Sequence, residues 1–158
     1  MELKFKVFTK IQKPLSEVFD AIYNPKKLEG YFTTKMASAP LDEGTTVYWD
    51  FADFPTEDGK GFPVKVVKCV KNQEIVFEWE ANEPADCDYK PLAYNTTVEV
   101  HFEELGPNNT MVSITEYGWK ETKAGLNSSY GNCMGWSQML SAMKAYLEYG
   151  INLRKGAY

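Results

Sequence analysis

The chain has 158 residues, of which 44% are hydrophobic, 25% charged and 15% aromatic. That length and balance suit one domain spanning residues 1–158, with a core large enough to need no metal or disulfide staple. A net charge of −5 argues against nucleic acid and against an anionic membrane surface, since both bind basic faces. Cys69, Cys87 and Cys133 are odd in number and widely spaced, and no CxxC pair occurs. A disulfide framework or thiolate zinc centre is therefore not expected, and a reducing, cytoplasmic setting fits. No apolar run reaches the length of a membrane span, so no membrane insertion is expected. The opening MELKFKVF alternates like a strand and does not resemble a signal peptide.

Leu3, Phe5 and Val7 alternate with lysines and predict a first strand ending near Ile11. Pro14 then stops pairing and suits the first turn of a helix. Leu15, Val18, Phe19 and Ile22 follow helical spacing, and Asn24-Pro25 breaks the helix. A second short helix is predicted over Lys26 to Tyr31, the two helices together bracing the sheet from below.

Strands follow. Thr45 to Phe51 alternates with Val47, Trp49 and Phe51 on one side, which puts Tyr48 and Asp50 on the opposite, exposed side. Ala52 to Gly61 reads as a turn or loop. Phe62 to Val70 is the next strand, where Val66-Val67 breaks alternation and signals a bulge or two-sided burial. After a turn at Asn72-Gln73, Ile75, Phe77 and Trp79 face one way, with Glu78 and Glu80 opposite. Asn82 to Pro91 is acidic and irregular, a long loop at the rim. Thr96 to Leu105 alternates Val98, Val100 and Phe102 against Thr97, Glu99, His101 and Glu103. Gly106-Pro107-Asn108-Asn109 is a strong turn, and Thr110 to Gly118 returns with Val112 and Ile114 on the apolar side.

Trp119 to Gly125 leads into a final helix, most clearly amphipathic from Gly135 to Arg154. Trp136, Met139, Leu140, Met143, Leu147, Gly150 and Ile151 share one face. Gln138, Ser141, Ala145, Glu148 and Asn152 lie opposite. A single long amphipathic helix after a meander of antiparallel strands buries its apolar face on the sheet. The fold class is α+β, a curved antiparallel sheet wrapped around a long C-terminal helix, with two short helices after the first strand. Such packing leaves room for a pocket between sheet and helix, and methionine fills irregular space adaptably.

No Walker-type loop, dinucleotide fingerprint, HExxH motif or nucleophile elbow is present. The single histidine, His101, shares its strand face with Glu99 and Glu103 and reads as a solvated side chain, which discounts a Ser/His/Asp triad. Glu116 falls on the face of Val112 and Ile114. If alternation persists it points inward, where a carboxylate can act as acid, base or ligand anchor. If the strand ends or bulges by Thr115, it meets water at the cavity mouth. Trp49, Trp79 and Trp136 are aromatic candidates for a pocket wall, and equally for core packing. Met139 and Met143 sit mid-helix, with the same two readings. The full candidate set for ligand contact adds Phe32, Phe77, Val100 and Ile114.

Three stretches carry a family resemblance: KPLSEVFDAIYNPKKLEGYF, IVFEWEA, and TMVSITEYGW followed by GWSQMLSAMKAYLEYG. In that order they resemble START-like, helix-grip domains of the SRPBCC superfamily. Within it the chain is similar to the AHSA-like group, named for homology to the activator of the Hsp ATPase. Two departures stand out: Tyr31-Phe32 where the family often has Trp before the aromatic, and the long acidic loop from Asn82 to Tyr94. The resemblance implies a cavity between sheet and helix but no uniform function, since members include lipid and hormone binders, cyclases, hydroxylase domains and stress-associated proteins. Metal-dependent members use separate iron-ligating domains whose Cys and His this chain lacks, so neither metal nor cofactor is expected.

Three functions follow in order of preference. The first is a binder of a hydrophobic or aromatic, lipid-like or polyketide-like small molecule. The second is a cochaperone-like interaction protein with an Hsp-type chaperone partner, meeting a basic surface through Glu83, Asp86 and Asp88. The third is a cyclase- or hydrolase-type enzyme using Glu116. The resemblance also admits a homodimer.

Overall fold

The computed structural model describes residues 1–83 and 93–156. The order of elements is β1 (Lys4–Ile11), α1 (Leu15–Tyr23), α2 (Pro25–Leu28), β2 (Met36–Ala37), β3 (Thr46–Asp50), β4 (Phe62–Val70), β5 (Glu74–Glu80), β6 (Asn95–Gly106), β7 (Asn109–Tyr117) and α3 (Lys123–Tyr149). All seven strands form one antiparallel sheet in the order β1-β7-β6-β5-β4-β3-β2, curled into a half-barrel against the long helix. The chain thus has the α+β fold expected from its pattern and the helix-grip form that the resemblance implies. β2 to β7 are sequential neighbours in the sheet, each pairing antiparallel with the next. β1 alone pairs out of sequence, with β7 from Lys4↔Tyr117 to Ile11↔Thr110.

Local chemistry sets the boundaries. Pro14 stands in extended conformation as the N-cap of α1, whose Val18, Phe19, Ala21 and Ile22 are buried. Asn24 ends that helix and caps the next, its side chain accepting from the Lys26 N–H. α2 is only four residues long, shorter than the expected Lys26 to Tyr31. The chain must turn at Gly30, where a Cβ would lie 2.6 Å from the Tyr146 ring of α3. Tyr31 beyond it is buried, its hydroxyl donating to the Ala21 carbonyl at 2.8 Å, and burial raises its phenol well above the ordinary range. α1 packs against β6, β7 and α3, the brace that the sequence predicts.

The expected break at Val66-Val67 is a register shift between Val66 and Lys68 in the β4–β5 ladder, a bulge that bends the strand. Asn72 takes the left-handed conformation of the next turn (φ 61°), which a short polar side chain tolerates.

Two expectations need correcting. Asp50 is 2% exposed where alternation makes it solvated, because Trp49, Asp50 and Phe51 are buried in succession. β2 covers this end of β3 through Met36↔Asp50 pairing, Gly61 packs against the Trp49 carbonyl, and Lys35 pairs with the carboxylate at 2.7 Å. The last helix also starts earlier and stops sooner than expected. Thr122 caps it, its hydroxyl accepting from the Gly125 N–H at 3.0 Å. Gly150 ends it in left-handed conformation (φ 68°), its N–H bonded to the Ala145 and Tyr146 carbonyls, the usual glycine stop. Gly150 and Ile151 therefore leave the buried face, and Ile151 is exposed.

Candidate functional site

Alternation persists along β7 to Tyr117, so Glu116 points inward between β1 and β6, opposite Phe5 and Val98. Its residue is 0% exposed, which decides between the two placements left open by the sequence: it does not meet water at the cavity mouth. Four side chains from three elements converge on it. On one oxygen, Thr96 Oγ1 of β6 donates at 2.6 Å, Trp79 Nε1 of β5 at 3.0 Å and Asn132 Nδ2 of α3 at 3.0 Å. On the other, Trp136 Nε1 donates at 2.8 Å and Asn132 Nδ2 approaches to 3.1 Å. Asn132 and Trp136 are four residues apart on α3 and so share a face.

These donors are all neutral, and among the described residues no lysine or arginine pairs with Glu116. A carboxylate offers about four lone-pair directions, and these donors fill them. Buried polar groups need such partners. Both carboxylate oxygens are thus engaged by neighbouring side chains.

In front of this network lies a cavity of about 660 Å³ between sheet and helix. Six aromatic rings line it: Phe32, Phe51, Phe54, Phe62, Trp79 and Trp136. Gly131, Asn132 and Gly135 form its helical wall, with Asp53, Pro55, Asn82 and Arg154 around them. The Arg154 guanidinium, beyond the end of α3, bonds Asp53 at 2.8 and 2.9 Å and lies over the Phe51 ring at 5.5 Å. Trp79 and Trp136 approach to 5.2 Å between centroids, and Phe32 stacks on Trp136 at 5.6 Å.

Of the candidates from the sequence, Phe32, Trp79 and Trp136 stand on this wall. Glu116 stands behind it, bonded to the last two. Trp49, Phe77, Val100, Ile114, Met139 and Met143 are core side chains and do not line the cavity. Trp49 packs edge-on to Phe32 at 5.5 Å and to Phe77 at 5.2 Å, a layer behind the lining.

Thr96 and Asn132 were not among the candidates, nor were Phe51, Phe62 and the Asp53–Arg154 pair. Asn132 had a usable signal, its spacing of four from Trp136. The two phenylalanines lie at the ends of strands already read as apolar on that side. Asp53 and Arg154 meet only through the folded chain.

His101 projects from the outer face, half-exposed, with Nε2 3.5 Å from Glu99 and Nδ1 3.8 Å from Glu74. Glu83 is a correction. It is folded inward, accepts from the Tyr94 hydroxyl and is not displayed on an acidic loop. Asp86, Asp88 and Cys87 lie outside the described residues. Among the described residues no His, Cys, Asp and Glu side chains cluster as a metal site, and no helix is long and apolar enough to cross a membrane.

A family model described as activator of Hsp90 ATPase homolog 1-like protein matches residues 12–148. No curated protein matches the chain. Solved structures do. The protein SSP2350 from Staphylococcus saprophyticus is 25% identical, with a TM-score of 0.68 over 94% of this chain and 95% of that one. The Aha1 dimer from Colwellia psychrerythraea is 20% identical, with a TM-score of 0.70 over 93% and 97%. PFC0360w, an HSP90 activator from Plasmodium falciparum, is 19% identical, with a TM-score of 0.67 over 91% and 95%.

Proposed function

The chain belongs to the activator of Hsp90 ATPase homolog 1-like family, and on that premise we propose that it binds a hydrophobic, aromatic small molecule between its sheet and α3. The observation that carries this reading is the cavity walled by six aromatic rings. Cavities of that size and lining suit a drug-sized apolar ligand held by a few polar groups.

The test is tryptophan emission during titration with fatty acids, sterols, flavonoids and polyketide-like aromatics, in the wild type and in Gly135→Leu. A Cβ at Gly135 meets nothing within 4 Å, so the leucine occupies the cavity without forcing the helix. A saturable change at Trp79 and Trp136 that disappears in the variant supports the reading. A flat response across the panel refutes it.

A second reading is a chaperone-partner role, favoured by the family's own description and by the shared fold with an HSP90 activator. Stimulation of an Hsp90-type ATPase by the purified chain would support it, and an unchanged rate would remove it. Self-association belongs to the same reading, given the likeness to a dimer, and sedimentation would test it. An enzyme with Glu116 as acid or base ranks below both, because the network encloses that carboxylate. A cytoplasmic location remains part of the proposal, resting on sparse cysteines of which Cys69 and Cys133 are free thiols.

A further inference from the structure

The Glu116 network gives the cavity a polarity. Asn132 lines the cavity, and its Nδ2 lies 3.0 and 3.1 Å from the two carboxylate oxygens. Flipping the amide would set oxygen against oxygen, so the orientation follows from the donor inventory. The Oδ1 atom therefore turns away from Glu116, and among the described residues no donor reaches it. The residue is half-buried and stands on the cavity wall.

Trp79 and Trp136 also line the wall, but the one polar atom of each indole is bonded to Glu116. Thr96 gives its hydroxyl proton to the same group. Glu116 thus engages the indole and amide donors at this end of the cavity and leaves Asn132 Oδ1 as the acceptor beside the Trp79 and Trp136 rings, while Asp53 and Asn82 are the other polar side chains of the wall. At the outer end Arg154 is neutralised by Asp53 at 2.8 Å, so the mouth is not set to select a carboxylate.

Resting on the reading that the cavity binds an aromatic molecule, we propose that its ligand is a planar aromatic carrying a hydroxyl or N–H donor, placed against Asn132 Oδ1. A phenol is the simplest member of the class. A site that accepts a hydrogen bond rejects an analogue that covers the acceptor without donating to it.

Calorimetric titration with 2-naphthol, 2-methoxynaphthalene and naphthalene tests this. In the wild type 2-naphthol should bind about tenfold or more tightly than either analogue. In Asn132→Ala that advantage should collapse while naphthalene affinity persists. Glu116 keeps the Trp79, Thr96 and Trp136 donors in this variant, and thermal melting checks its fold. Equal binding of 2-naphthol and its methyl ether by the wild type overturns the inference and leaves cavity binding standing. That series needs no variant, so it decides even if Asn132→Ala misfolds. A 2-naphthol advantage that survives Asn132→Ala in a folded protein also overturns it. Failure of all three probes to bind the wild type overturns the inference, while the cavity reading stands or falls on the broader emission panel.

Discussion

Trp79 and Trp136 come from a strand and a helix far apart in the chain, lie 5.2 Å apart between ring centroids, and donate to opposite oxygens of Glu116. Their positions on the cavity wall are tied to one carboxylate. Glu116→Gln replaces one acceptor oxygen with a donor and leaves buried N–H groups facing N–H groups. Each buried donor without a partner costs about 1–3 kcal/mol, so urea unfolding should show a loss of about 2–4 kcal/mol, with altered tryptophan emission in the folded state. A loss below about 0.5 kcal/mol would mean that the network is not what holds the two indoles.

Two glycines should respond oppositely to alanine. Gly135 stands in the interior of α3, and a Cβ there has nothing within 4 Å, so Gly135→Ala should stabilise by about 1 kcal/mol through helix propensity alone. Gly30 stands where a Cβ would come 2.6 Å from the Tyr146 ring. Gly30→Ala must displace either the turn after α2 or the Tyr146 ring and should destabilise by about 1–3 kcal/mol. Thermal melting of the two variants checks the contrast, and a stabilised Gly30→Ala would show that the close approach of Gly30 to Tyr146 is not required.

Glu148, in the last turn of α3, ties the helix to the segment after β1. Its carboxylate accepts from the Gln12 N–H at 2.8 Å and pairs with Lys144 at 2.9 Å. Burial pushes its carboxyl up, but the Lys144 and Gln12 hydrogen bonds outweigh that and hold it below the ordinary carboxylate value of 4.5. A lowered folded value favours the folded state above the unfolded value and loses that contribution as pH falls through the folded value. Wild type should therefore lose stability relative to Glu148→Gln on acidification below about pH 4.5, as followed by urea midpoints across pH. Parallel pH profiles for the two proteins would refute the coupling.

The fold was legible because its signals are periodic and local. Alternation in β1, β5, β6 and β7 and the helical spacing from Trp136 to Leu147 each require a buried face, and few arrangements supply one. The bulge at Val67 could be read for the same reason, as a break in a period. Asp50 could not, because its burial depends on β2 and Gly61 arriving from elsewhere to cover the outer side of β3. The cavity was half legible. Trp79 and Trp136 announce themselves as large apolar side chains on inward positions. Which inward side chains face space and which face each other depends on sheet curl, and so Trp49 and Met143 proved to be core. Glu116 was visible as an oddity of charge on an apolar face. Its meaning came from Asn132 and Thr96, whose partnership with it is set by how α3 and β6 pack.

The segment after α3 supplies the last prediction. Gly150 turns the chain out of the helix, and Arg154 then bonds Asp53, of the segment joining β3 to β4, while lying over Phe51. This ion pair is partly enclosed, with side chains 11% and 23% exposed, so it should contribute more than a solvated surface pair, on the order of 1 kcal/mol. Its larger effect is kinetic. Asp53→Asn removes the charge that holds Arg154 over the cavity, and residues 150–156 should exchange amide hydrogens faster while the sheet and α3 exchange as before. Ligand association and dissociation through the cavity mouth should quicken together, leaving affinity nearly unchanged. If exchange in 150–156 is the same in Asp53→Asn as in the wild type, packing over Phe51 holds the segment in place and the ion pair does not.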